Sequence, residues 1–212
     1  MTEAQVKTLI HEAIFEAEKG KEYTSTELKA VMEHSGFVKL AKDVELGSEQ
    51  LIVPEGQEVI LDLGGHDIIG STNEMLLADG GVLTIRGTGK IESSLRPVIA
   101  RNGGKIIVEG GLIKSTGSNG IGAAGEGSEI IFNNGEVEAQ EYGINLTDGG
   151  AVEINGGTIE AFDNCAIGGN GSPYIDANGN VTTRTSERVR DQEPVNIVMN
   201  GGSIISNIQS AG

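Results

Sequence analysis

Tryptophan is absent from this chain, and aromatic residues make up only 3% of its 212 positions. A core without large rings has to be filled by small and branched aliphatic side chains in regular layers. Proline is also scarce, with 4 residues, whereas the 33 glycines far exceed the average share of about 7%. Because the glycines show no collagen-like period, we expect them to form tight corners rather than a triple helix or a disordered linker.

Basic residues are few: 15 Lys and Arg stand against 31 Asp and Glu, which gives a formal net charge of −16. Binding to nucleic acid or to anionic lipid needs clustered cations, so the composition argues against both. No run approaches the roughly 20 apolar residues of a membrane-spanning helix, and the charged N-terminus lacks the apolar stretch of a signal peptide. We therefore expect a protein made in a cytoplasm, without membrane insertion.

Cysteine occurs once, at Cys165, which excludes an internal disulfide. It lies beside an apolar position in the stretch NCAIGG, and free cysteines are usually buried, so we predict an inert buried thiol. His66 is predicted to be a turn residue, because no periodic acidic partner accompanies it. His11 and His34 are too far apart in the pattern to predict a metal site.

A short unit made of a strand, a glycine corner and another strand repeats along the chain. Its clearest copies are VEGGLIKS at 108–115, FNNGEVEA at 132–139, INGGTIEA at 154–161 and MNGGSIIS at 199–206. Paired glycines recur about every 23 residues, and three series of aliphatic residues keep the same spacing. The first series is Leu77, Ile99, Ile121, Ile144 and Ile167; the second is Ile91, Ile113, Val137, Ile159 and Ile204; the third is Ile85, Val108, Ile131, Ile154 and Val198.

Three apolar positions per period, separated by glycine corners, predict a coil with three faces. One coil cannot bury its own apolar residues, but stacked coils form a continuous column, with isoleucine over isoleucine inside and asparagine or glycine at the corners. The pattern therefore predicts a mainly β fold, a parallel β-helix of about six or seven coils over residues 37–212. An antiparallel sandwich would instead show hairpin turns roughly every 8 to 12 residues and no such ladders.

The first 36 residues follow a helical pattern instead. Apolar positions mark one face of a helix over 2–19, and Gly20 follows as a stop. A second helix is predicted over 25–34, with Gly36 as its C-cap. Region 1–36 is predicted to cap the column and to serve as an anchor or oligomerisation element. The candidate assembly residues are Val6, Leu9, Ile10, Ala13 and Ile14.

The period is interrupted once, by an insertion at 172–193. Residues 174–183 alternate around Asn178-Gly179, which predicts a hairpin, and the polar stretch that follows holds three of the few arginines. An aromatic residue and cations on a protruding loop are suited to contacting a partner, although a solvated loop is an equally good interpretation. The partner-binding candidates are Tyr174, Arg184, Arg188 and Arg190.

The acidic residues form no recognisable catalytic pattern. Cleavage of a glycan needs paired or clustered carboxylates, whereas the aspartates here are scattered along the chain. Asp163 with Glu160 is the best local pair, but acidic residues do not occupy both matching places one coil earlier or later. We predict no catalytic residue, no metal site and no cofactor.

The stretch LIVPEGQEVILDLGGHDIIG, followed by GGVLTIRGTGKIESS, resembles the opening of right-handed β-helix domains of the pectate-lyase-like superfold. Such openings are frequent in bacteriophage head-fibre and appendage proteins and in surface proteins of gut bacteria. The resemblance covers roughly 38–212 and implies the fold and its right-handedness. It implies little about function, because the superfold hosts lyases, hydrolases, adhesins and inert spacers.

Together with this resemblance, an acidic repetitive rod with a helical base and no export signal predicts a non-enzymatic virion protein. We expect a bacteriophage head fibre, a capsid decoration protein or a related appendage. Its expected partners are other virion proteins and copies of itself, as a trimer, with host surface glycans as a further ligand. The alternatives are a polysaccharide lyase or glycoside hydrolase of the superfold, a bacterial surface adhesin, and a spacer without a ligand.

Overall fold

The computed structural model describes residues 20–170, 174–175, 181–182 and 194–207. Helix α1 is Ser25–Met32. Sheet 1 contains, in spatial order, β1 (Gly36–Lys39), β4 (Glu58–Asp62), β7 (Val82–Arg86), β10 (Lys105–Val108), β13 (Glu129–Phe132), β16 (Ala151–Ile154) and β21 (Asn196–Met199). Sheet 2 contains β2 (Val44–Gly47), β5 (Ile68–Gly70), β8 (Lys90–Ser93), β11 (Leu112–Ser115), β14 (Glu136–Ala139), β17 (Thr158–Ala161) and β22 (Ser203–Ser206). Sheet 3 contains β3 (Leu51–Pro54), β6 (Leu76–Asp79), β9 (Val98–Arg101), β12 (Ile121–Ala124), β15 (Ile144–Thr147) and β18 (Ile167–Asn170).

The chain passes from sheet 1 to sheet 2 to sheet 3 and back to sheet 1, so each turn adds one strand to each sheet. All strand pairings within these three sheets are parallel, as between β8 and β11. The result is a β-solenoid of about six turns with a period of about 23 residues, consistent with a right-handed parallel β-helix. The predicted fold class is confirmed.

The second predicted ladder is confirmed at every position, because Ile91, Ile113, Val137, Ile159 and Ile204 pair in succession along sheet 2. The ladder also begins earlier than predicted. Val44 pairs with Ile68, and Ile68 pairs with Ile91. These residues face the interior of the column.

The first ladder is wrong at its start. Val98 rather than Ile99 pairs with Ile121, and Leu76 rather than Leu77 pairs with Val98. The remainder of that ladder, from Ile121 through Ile144 to Ile167, is confirmed. The physical reason is that both neighbours are aliphatic in these strands, and a shift of one residue moves a side chain to the other face of the sheet.

The third ladder is wrong at two positions for the same reason. Phe132 rather than Ile131 pairs with Val108, and Met199 rather than Val198 pairs with Ile154. Ile85 is placed as predicted, opposite Val108.

Helix α1 covers the first turn of the column, and its Leu28 and Met32 are fully buried. A capping box starts it: the Glu27 amide donates to the Thr24 hydroxyl at 3.2 Å, and the Thr24 amide donates to Glu27 Oε2 at 2.9 Å. The helix ends at Met32 with Glu33 as C-cap, so the predicted extension over 25–34 is too long.

Gly36 is not the predicted C-cap but the first residue of β1. The backbone amide of the preceding Ser35 donates to Gln57 Oε1 at 2.8 Å, which ties the chain to the next turn of the rod.

Glycine and asparagine form corners between sheets 1 and 2 and between sheets 3 and 1, as predicted, whereas the connections 71–75 and 94–97 from sheet 2 to sheet 3 contain no glycine. A Cβ on Gly104 would lie 2.1 Å from the carbonyl oxygen of Ala78 in the turn below, so only glycine fits there. At another corner, the side-chain Nδ2 of Asn155 donates to Asn133 Oδ1 at 2.9 Å, and Nδ2 of Asn200 donates to Asn155 Oδ1 at 2.8 Å. These side-chain bonds link successive turns.

The insertion leaves the rod between β18 and β21. Within it, β19 (Tyr174–Ile175) pairs antiparallel with β20 (Val181–Thr182), which confirms the predicted hairpin. The predicted helix over 2–19 lies outside the described residues.

Candidate functional site

Most residues predicted to contact partners lie outside the described part of the chain. The backbone of Tyr174 is in β19, whereas the three insertion arginines are not described. The five anchor candidates of the first helix, Val6, Leu9, Ile10, Ala13 and Ile14, are not described either. These assignments therefore stay predictions.

The prediction for Cys165 is wrong, because its side chain is exposed. The next residue, Ala166, takes the inward position and is 1% exposed. In the stretch NCAIGG the apolar neighbour, rather than the cysteine, occupies the interior.

His66 lies in a turn as predicted, but it has an acidic partner that the sequence reasoning missed. Its Nδ1 lies 3.3 Å from Oδ1 of Asp43, which is 23 residues earlier in the chain. The Asp67 amide donates to the same oxygen at 3.0 Å. The hydrogen bond from the Asp67 backbone amide, with a smaller contribution from His66, lowers the pKa of the Asp43 carboxyl.

The carboxylates of Asp163 and Glu160 each accept a hydrogen bond from an amide side chain, that of Gln140 and that of Asn207 respectively. Among the described residues, no group of three or more His, Cys, Asp or Glu side chains could hold a metal ion.

The outward face of sheet 3 differs from the outward faces of the other sheets, because it is covered. Outward-facing Leu77, Ile99 and Asn145 are 8%, 0% and 6% exposed. The loops that lead into sheet 3 fold back over this face. The Arg96 side chain lies over Gly122, and the Tyr142 ring lies so close to Gly168 that a Cβ there would meet it at 2.2 Å.

Arg96 is the centre of a polar cluster on this face. One Nη donates to Asn145 Oδ1 at 3.3 Å, and the other lies 4.0 Å from Glu74 Oε1. Glu74 also accepts a hydrogen bond from the Arg101 guanidinium. One carboxylate therefore bridges two arginines, and we refer to Glu74, Arg96, Arg101 and Asn145 as the Arg96 cluster.

The side chains of Arg96 and Glu74 are each only 17% exposed. Burial lowers the pKa of Arg96, and the nearby Glu74 carboxylate opposes this shift. The Arg96 Nε is a buried nitrogen without a hydrogen-bond partner in the described residues. This nitrogen is itself shielded, so only the exposed part of the guanidinium could meet an acceptor group.

The backbone of Glu74 has an unusual conformation. Its φ of 58° lies in the left-handed region that non-glycine residues rarely adopt. Two hydrogen bonds hold it there. Its amide donates to the Arg96 carbonyl at 2.8 Å, and Gln50 Nε2 donates to the Glu74 carbonyl at 2.8 Å. Strained backbones of this kind concentrate at functional sites.

Sequence reasoning missed the Arg96 cluster because its members come from different turns. The available signal was the spacing of Glu74 and Arg96, which are about one period apart. That spacing alone does not reveal that the loops fold onto sheet 3.

A shallow groove of about 590 Å³ runs along the corner between sheets 1 and 2. Its floor is glycine backbone, and Glu109 and Glu136 contribute to its lining. A Cβ on Gly110 would lie 3.0 Å from the Gly87 carbonyl oxygen, and one on Gly135 would lie 2.8 Å from that of Gly111. Close stacking of turns therefore explains these glycines without a ligand.

Within the described residues, no helix has the length and apolar character needed to cross a membrane. Comparison with known proteins found no matching family model, no matching curated protein and no matching solved structure.

Proposed function

We propose that this chain is a non-enzymatic structural protein of a bacteriophage particle, a head fibre, a capsid decoration protein or a related appendage. The observation that carries the proposal is the rod of about six stacked turns, with α1 packed over its first turn. Residues 38–212 resemble right-handed β-helix domains of a superfold that is frequent in phage appendages, and this is compatible with the viral context without selecting it over a bacterial surface protein.

In this proposal the N-terminal region attaches the protein to other virion proteins, and the β-helix projects outward. Six strand spacings of about 4.8 Å make the rod about 29 Å long. Parallel stacking gives such a spacer stiffness, because each turn is hydrogen-bonded along three sheets to the next. Host surface glycans are the proposed ligand of the projecting rod.

Mass spectrometry of phage particles purified through a density gradient tests this proposal. We expect peptides of this chain at a constant ratio to the major capsid protein in every particle fraction. A Leu9→Asp variant should fold normally but leave the particle fraction, because it places a charge in the predicted anchor stripe. Particles that lack the protein while it accumulates elsewhere in the lysate would contradict the proposal.

A glycan-cleaving activity is the second candidate, and one observation favours it: a partly buried arginine with a lowered pKa beside the Glu74 carboxylate. Incubation with acidic polysaccharides, followed by assay of new reducing ends, tests it. Activity that is lost in both Arg96→Lys and Glu74→Gln would make this the better assignment. Absence of new ends with the intact chain would remove it for those substrates.

A further inference from the structure

An uncharged and mostly apolar stripe runs along the middle of the outward face of sheet 1. Its members are paired in succession across five strands, and we call them the sheet 1 stripe: Phe37, Ile60, Thr84, Ile107 and Ile131. Phe37 and Ile60 are 39% and 38% exposed. Beyond Ile131 the same ladder continues to Glu153 and Val198.

The equivalent ladder of sheet 2 has the opposite chemistry. It consists, in order, of Glu45, Ile69, Glu92, Lys114, Glu138, Glu160 and Ile205. Five of these seven residues are charged, whereas the seven residues of the sheet 1 ladder include one charge, Glu153. Both ladders have the same backbone geometry, so the fold does not require the apolar side chains on sheet 1.

Charges flank the sheet 1 stripe, but they are paired. Arg86 Nε donates to Asp62 Oδ2 at 3.1 Å, and Lys105 Nζ lies 2.6 Å from Glu129 Oε2. The Arg86 guanidinium also lies 4.8 Å from the centre of the Phe37 ring. The strands of sheet 1 carry three cations (Lys39, Arg86, Lys105) and four anions (Glu58, Asp62, Glu129, Glu153), a balance of −1.

This balance matters because the whole chain has a formal net charge of −16, so two copies repel each other over most of their surface. The strands of sheet 2 carry two cations (Lys90, Lys114) and five anions (Glu45, Glu92, Glu136, Glu138, Glu160), a balance of −3. Sheet 3 is covered by its own loops. Electrostatic repulsion between two copies should therefore be weaker at sheet 1 than at sheet 2.

We propose that the outward face of sheet 1 is a self-association surface, against which a second copy of this chain packs its own sheet 1 across a two-fold axis that runs along the rod. The stripe also runs along the rod, in the middle ladder of the sheet, so such an axis places each stripe residue opposite its own copy. A three-fold arrangement would instead press sheet 1 against a different face of the neighbour. Packing of sheet 1 on sheet 1 therefore predicts a dimer, whereas the sequence analysis expected a trimer.

The size of the face sets the expected strength. Seven strands span six spacings of about 4.8 Å, and with a strand length of about 15 Å they cover roughly 430 Å² per copy, or about 860 Å² in total. This area belongs to the class of weak interfaces below about 1,200 Å². Area alone does not fix an affinity, but an interface of this size should be weak, so dimers are expected only at high protein concentration, on the order of 10 to 100 μM and above. The inference does not depend on the proposed virion function.

Light scattering of the full chain over a concentration range tests the proposal. The mass should rise from 22.0 kDa towards twice that value as the concentration passes through about 10 to 300 μM. An Ile60→Lys variant should raise the dissociation constant at least about tenfold, because two desolvated cations would face each other. Its own fold should tolerate the lysine, which lies between Glu58 and Asp62 on the same face.

Ile69→Lys is the matched control, because it places the same charge at the equivalent position of sheet 2, between Glu45 and Glu92. It should melt like Ile60→Lys and associate like the unchanged chain. Equal weakening by both variants would overturn the proposal. A mass that stays at 22.0 kDa throughout, or that reaches three times this value, would overturn it as well.

Three further variants identify the contact. Thr84→Cys on a Cys165→Ser background should give a covalent dimer with a short bismaleimide, since packed sheets lie about 10 Å apart. Lys114→Cys on the same background should not. Leu9→Asp in the full chain should leave association unchanged; its loss would show that segment 2–19, rather than a second sheet 1, is the occupant, and would overturn the proposal.

Discussion

Val44 and Ile204 are two members of the same inward ladder of sheet 2, in its first and last strands. Val44 is 2% exposed, whereas Ile204 is 40% exposed. The difference does not come from side-chain type, since both are branched aliphatics on the same face. Helix α1 packs over the first turn, and the layers above and below a residue therefore decide its burial. The contribution of an inward residue to stability should consequently depend on its place along the rod.

The largest effect is expected in the middle of the column, at Ile144. This residue is fully buried and lies between Ile121 and Ile167 in the interior ladder of sheet 3. Ile144→Asp places an unpaired charge among aliphatic side chains and should cost about 4 kcal/mol or more, enough to prevent folding. Circular dichroism and the yield of folded protein measure this.

Asn145→Asp is the matched control, because it introduces the same residue one position later, on the opposite face. There the carboxylate would meet Arg96, which already bonds to Asn145 Oδ1. This variant should fold with a melting temperature no lower than that of the unchanged chain. If Ile144→Asp melted at the same temperature as the control, the strand register would be wrong.

The next largest effect is the difference in stability cost between truncating a buried isoleucine and truncating its exposed neighbour in the last described turn. Ile159→Ala removes a fully buried side chain and should cost about 2 to 5 kcal/mol. Ile204→Ala removes its neighbour on the same ladder, which is already 40% exposed, and should cost about 1 kcal/mol or less. Urea unfolding gives both values. Equal costs would mean that the last described turn is packed as tightly as the middle ones.

A smaller effect separates two glycines of one corner. Gly104→Ala would bring a Cβ to 2.1 Å from the Ala78 carbonyl and should cost about 2 kcal/mol or more, because backbone must move. Gly103→Ala meets no atom within 4 Å but requires a residue at φ 77°, which should cost about 1 kcal/mol. Gly103→Asn should cost less than Gly103→Ala, since asparagine adopts this conformation more readily. Thermal melting orders the three variants.

The sequence predicts the ladder of sheet 2 at every position and misplaces two residues in each of sheets 1 and 3, and particular strands of sheets 2 and 3 show one reason. In Lys90–Ser93, the inward Ile91 stands between Lys90 and Glu92, so alternation identifies the face. In Val98–Arg101, Val98, Ile99 and Ala100 are all buried, because a loop covers the outward side. Hydropathy then no longer distinguishes inside from outside, and the predicted ladder shifts by one residue.

The Arg96 cluster was missed for a related reason. Arg96 and Glu74 lie in loops before strands of sheet 3, and their contact depends on how those loops fold over it. A repeat pattern specifies which residues stack from turn to turn, but it does not specify the path of loops outside the coil. The Asp43–His66 contact, by contrast, follows the 23-residue spacing and could have been read from the sequence.

The smallest effect is a pH dependence at the α1 end of the rod, near Asp43. The pKa of this carboxyl is lowered in the folded chain, first by the hydrogen bond from the Asp67 amide and then by His66. A lowered pKa stabilises the fold above the unfolded-state pKa of about 3.9, and this stabilisation is lost as the pH falls through the folded value. The difference in melting temperature between the unchanged chain and Asp43→Asn should therefore shrink as the pH falls from about 5 to about 3. Because Asp43 is exposed, the change should be small, and a difference that grew over this pH range would contradict the assigned sign.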